Sequence, residues 1–78
     1  MNLFVHLKEF LYDKDYYILF FDNYLYVYGV KQINYVSNSN IELMLEKLNI
    51  IIKGSNLKIT KSLDKELLIQ GQVDEIFK

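Results

Sequence analysis

From Tyr16 onward the chain runs in short alternations of apolar and polar residues, broken by turn residues about every 8–12 positions, a spacing that predicts an all-β meander, sandwich or barrel. "YYILFF" at 16–21 is apolar at every position and reads as a strand covered on both faces. After a turn at Asp22-Asn23, "YLYVY" directs Leu25 and Val27 to one side and Tyr24, Tyr26 and Tyr28 to the other. "KQINYV" follows, with Ile33 and Tyr35 expected on one face. From Asn49 on, Ile50, Ile52, Leu57, Ile59, Leu67 and Ile69 are expected to face a core, while Lys53, Lys58 and Gln70 face outward.

Two segments fit more than one template. Over 39–48, a Ser39-to-Glu42 capping box with Asn40 as cap, and Ile41, Met44, Leu45 and Leu48 on one stripe, fit a helix. The same residues fit a strand with Ile41, Leu43 and Leu45 inward and Glu42 and Glu46 outward. Strands on both sides favour the strand. At 3–12, Leu3, Phe4, Leu7, Phe10 and Leu11 have the spacing of a short amphipathic helix packed on the sheet; a strand-like lead-in is the alternative.

The chain has only three glycines, and each stands two residues after a β-branched residue, at Val27, Ile52 and Ile69. Glycine adopts positive φ without steric penalty, so Gly29, Gly54 and Gly71 are expected to mark turns. Gly54-Ser55-Asn56 reads as a hairpin connection, and Gly71 as a turn or a bulge that bends an edge. The 17-residue interval between Gly54 and Gly71 hints at a weak strand-pair repeat.

Composition narrows the function classes. No proline, Ser/Gly linker or charge block divides the 78 residues, so 1–78 is read as one domain, with a lead-in at 1–15 and a β-rich core at 16–77. A domain of this size has a thin stability margin, which favours association with identical partners. The absence of cysteine removes disulfides, thiolate metal sites and cysteine nucleophiles together. All nine basic residues are lysine, set against ten carboxylates, so no basic face and no bidentate guanine contact is available and nucleic-acid binding is not expected. Neither a signal peptide nor a membrane span is expected, because His6, Lys8 and Glu9 interrupt the N-terminal apolar residues and Asp22 ends the longest apolar run.

No catalytic constellation stands out. His6 has no nucleophile or carboxylate at a recognisable spacing, and a lone histidine is usually structural or solvated. Asp13 with Asp15, and Glu42 with Glu46, lack the loop pattern of a cation site and read as polar surface. No phosphate-binding glycine motif is present, and no cofactor or metal is expected. The stripe Tyr24, Tyr26, Tyr28 admits three readings: a second covered face, an intermolecular surface, or a platform for a carbohydrate.

The succession "YYILFFDN", "INYVSNSNIELMLEKLNIIIKGSNLKI" and "LLIQGQVDEI" resembles the YabP/YqfC family of small sporulation proteins, and looks closer to its YqfC-like branch. The resemblance runs from about Leu7 to Phe77. Its most specific piece is Ile52, Gly54, Leu57 and Ile59, followed by Ile69 and Gly71, and it favours the strand over 40–48. Asp22 and Asn49 stand where the family commonly has a turn glycine. Both residue types tolerate turn conformations. The resemblance implies a non-enzymatic protein of the mother-cell cytoplasm of a sporulating bacterium, needed for spore-envelope assembly, with a membrane protein as a partner.

The expectation is thus a mainly β, sandwich-like antiparallel domain that acts as an assembly protein, through a homo-oligomer or a membrane-protein partner. A small binding module whose Tyr24, Tyr26 and Tyr28 stack on a cell-wall glycan is the alternative. An enzyme has no residues behind it.

Overall fold

The computed structural model describes residues 16–78. The helix expected over 3–12, with His6, Asp13 and Asp15, lies outside them. Six strands form: β1 (Tyr17–Phe21), β2 (Tyr24–Tyr28), β3 (Val30–Val36), β4 (Asn40–Leu45), β5 (Asn49–Leu63) and β6 (Glu66–Phe77). They join in one antiparallel sheet of order β1-β2-β6-β5-β4-β3. Among the described residues there is no helix, so 40–45 takes the strand reading: the pairing needs of its neighbours outweigh the local capping signal.

The long hairpin β5–β6 belongs to two layers. β2 pairs with β6 only over residues 66–70, and β4 pairs with β5 only over residues 49–53. One layer is therefore β1, β2, the start of β6 and the end of β5; the other is β3, β4, the start of β5 and the end of β6. In a flat sheet β2 and β4 would lie about 14 Å apart, too far for their side chains to meet. Yet Leu25 and Val27 of β2 share one buried cluster with Ile41, Leu43 and Leu45 of β4, so the sheet is folded over on itself. Ile50, Ile52, Leu57, Leu67 and Ile69 join that cluster, with Ile59 packed against it, as the alternation predicts, and Val30 of β3 completes it.

The fold-over occurs where the β5–β6 ladder is irregular, between Lys53 and Lys61, since bulges bend and twist a strand. This corrects the expected role of Gly54. It does not end a strand: β5 runs through it, and the reversal comes at Asp64-Lys65, with Asp64 at φ 50°. What Gly54 permits is close approach, because a Cβ there would stand 1.9 Å from the Gln72 carbonyl oxygen. Gly71 sits at φ 136° opposite Asn56, itself at φ 54°, and a Cβ on it would meet the Asn56 carbonyl oxygen at 2.6 Å. Gly71 is thus a bulge inside the hairpin. The two glycines face each other's strands at a single bend, which accounts for their spacing without a repeat.

Backbone hydrogen bonds tie the layers at their corners. The Gly71 N–H donates to the Asn23 carbonyl at 2.8 Å, the Leu57 N–H to Asn38 at 2.8 Å, and the Gly54 N–H to Ser39 at 3.1 Å. Gly29, at φ 95°, carries the chain from one layer to the other, and the N–H groups of Gly29 and Val30 both reach the Lys65 carbonyl. Asp22, at φ 53°, makes the expected β1–β2 turn.

Two further expectations change. Strand 17–21 is not covered throughout: Tyr17 is buried, but Phe20 is 63 % exposed because an outermost strand has less shielding on one side. Ile33 and Tyr35 do not share a face. The pairing slips by one residue between them, so Ile33 stands opposite the buried Leu43, while Tyr35 stands opposite the outward Glu42.

Candidate functional site

Paired registers set the outer face of the first layer in three rows. Phe21, Tyr24, Gln70 and Lys58 form one; Leu19, Tyr26, Leu68 and Lys61 the next; Tyr17, Tyr28, Glu66 and Leu63 the third. All three tyrosines of the stripe therefore share this face, opposite to the Leu25 and Val27 that fill the core.

They are not equally accessible. Tyr26 is only 9 % exposed, and Tyr24 and Tyr28 are half-buried. The Tyr17 and Tyr28 rings stack with centroids 5.1 Å apart, and Tyr17 meets Tyr26 at 6.1 Å. Phe21 stacks on Tyr24 at 5.6 Å. The Tyr26 hydroxyl donates to the Glu66 carboxylate. Burial first, then the hydrogen bond to Glu66 and its negative charge, hold that hydroxyl protonated far above the ordinary range for tyrosine. Glu66 was not singled out in the sequence: it lies 40 residues from Tyr26, and no local pattern marks such a pair.

The second accessible surface lies at the sheet's outermost strands. On β3, Ile33 is 38 %, Tyr35 51 % and Val36 48 % exposed; on β1, Phe20 is exposed as well. Among the described residues β3 pairs only with β4. Lys53 lies 5.5 Å over the exposed Phe77 ring, while Lys58 and Lys61 stand on the late, outer part of β5.

Little here points to chemistry. Glu42 accepts a hydrogen bond from the Asn40 amide at 3.2 Å, and Glu46 is exposed in the following turn. Among the described residues no three His, Asp or Glu side chains converge to hold a metal ion, and no helix is long and apolar enough to cross a membrane. The turn at Gly29, the bulge at Gly71 and the close approach at Gly54 are architectural.

No curated protein and no solved structure matches the chain. The model of the YabP family matches residues 14–77, which covers all six strands. The chain belongs to the YabP family, a membership consistent with a sporulation-associated protein.

Proposed function

We propose that this protein is a non-enzymatic component of spore-envelope assembly, of the YqfC-like branch of its family, that works in the mother-cell cytoplasm by associating with copies of itself or with a membrane-protein partner. One observation carries the reading: the two outermost strands present exposed apolar side chains, Phe20 on β1 and Ile33, Tyr35 and Val36 on β3. Sheet edges with such side chains invite another chain to pair or pack against them. Family membership is consistent with a role in sporulation.

The tyrosine stripe contributes less to this contact than its sequence implies, since Tyr26 is buried and its hydroxyl is engaged by Glu66. The same burial weighs against a glycan lying across all three rings. Replacing the gene in a sporulating host with an Ile33→Lys, Val36→Lys double variant is the test. A folded variant that leaves spores with defective envelopes supports the reading; normal, resistant spores refute it.

A further inference from the structure

The outer face of the first layer is better covered than its place in the fold explains. All six strands belong to the two layers, so among the described residues no element lies over this face. Tyr17 stands on an outermost strand, with a neighbouring strand on one side only, yet it is 8 % exposed and its hydroxyl oxygen is shielded from water. Tyr26 beside it is buried as well. On the same strand Phe20, whose partner Leu25 belongs to the core, is far more open. A side chain on a bare sheet face is shielded only by its lateral neighbours, so two aromatic rings less than a tenth exposed require something above them.

The burial has a boundary. Leu19 and Leu68, in the same row as Tyr26, are half-buried, whereas Lys61 and Leu63 of β5 are exposed, Leu63 to 63 %. The cover therefore lies over β1, β2 and β6, a width of about 10 Å, and ends before β5. A second copy that stacked its own layer here would shield β5 too. The rings are moreover buried within a single chain.

That chain has one stretch left to supply the cover. Residues 1–15 lead directly into β1 at the end where Tyr17 stands. Leu3, Phe4, Leu7, Phe10 and Leu11 give them the apolar stripe of an amphipathic helix. Ten residues in that form make a rod about 15 Å long and about 10 Å across. Three rows of the face measure about 14 Å along the strands, and residues 13–15 span about 10 Å, enough to turn the chain back onto it.

We propose that residues 3–12 lie across the tyrosine face, with Leu7 and Leu11 against Tyr17 and Tyr26, so that the chain itself closes this surface to a partner or a glycan. The outermost strands stay open beside it, and the proposal does not rest on the assembly reading.

Nuclear Overhauser contacts in the full chain test it. In uniformly carbon-13-labelled protein, methyl protons of Leu7 or Leu11 should contact the rings of Tyr17 or Tyr26. A mixture of labelled and unlabelled chains, filtered for contacts between molecules, should lack those contacts. Contacts found only between molecules would assign the face to a second copy, and no contact from residues 3–12 in either sample would leave it to a different partner; both overturn the proposal. A Leu7→Ser, Leu11→Ser double variant gives a second reading. Its Tyr26 ring signals should titrate at lower pH than the parent's, because burial is the first cause of that shift, while the core amides of Leu43 and Ile52 hold their positions. An unchanged Tyr26 titration also overturns it. The contacts are measured on the parent chain, so they decide the matter even where the double variant does not fold. The Ile33→Lys, Val36→Lys variant should keep them, which separates failure here from failure of the assembly reading.

Discussion

Replacing Gly54 with alanine is the sharpest test of how the sheet folds over. The added Cβ would lie 1.9 Å from the Gln72 carbonyl oxygen and 2.9 Å from its carbon, whereas a carbon and a carbonyl oxygen need about 3.3 Å. The strands must therefore part by roughly 1.4 Å at Gly54 and Val73, in the middle of the longest hairpin. Overpacking alone costs about 1–3 kcal/mol, and each backbone hydrogen bond lost with it about 1 kcal/mol. The expected destabilisation is about 3–5 kcal/mol. For a domain of this size that lowers the melting temperature by at least about 12 °C. Thermal unfolding followed by circular dichroism reads the loss, and amide exchange locates it: Lys53, Gly54 and Val73 should lose protection first. A variant that melts within about 3 °C of the parent would refute the close approach, since a propensity effect alone is about 1 kcal/mol or less.

Three other outcomes follow from the packing. Leu43→Ala removes a fully buried side chain from the shared cluster and should destabilise the domain by about 2–5 kcal/mol in denaturant titration. Asp64→Gly relieves a positive φ at the β5–β6 turn, so the melting temperature should hold or rise by a few degrees; a fall would place the reversal elsewhere. Tyr26 should stay protonated as pH is raised through the ordinary tyrosine range, as followed by tyrosinate absorbance. Because its folded-state pKa is raised, Tyr26 contributes stability that is fully present below the unfolded value near 10 and is lost as pH rises above it. Tyr26→Phe should flatten that alkaline loss.

Much of this fold was legible wherever alternation was regular. The inward sets of β2, β4, β5 and β6, and the turn at Asp22, follow from side-chain period and turn chemistry. Reading failed where one inserted residue changes the face. The slip between Ile33 and Tyr35 is a pairing property, set by β4 and invisible within β3. Gly54 was misread for a related reason: a glycine that admits another backbone and a glycine that turns the chain look alike in sequence.

The central functional claim is that the outermost strands bring this chain together with another. Sedimentation equilibrium of the full chain over a hundredfold concentration range measures it directly, with the Ile33→Lys, Val36→Lys variant run beside it. The parent mass should climb above the monomer with concentration, and the folded variant should stay monomeric. A parent that is monomeric at every concentration, and binds no membrane-protein partner in detergent extracts of sporulating cells, would contradict it.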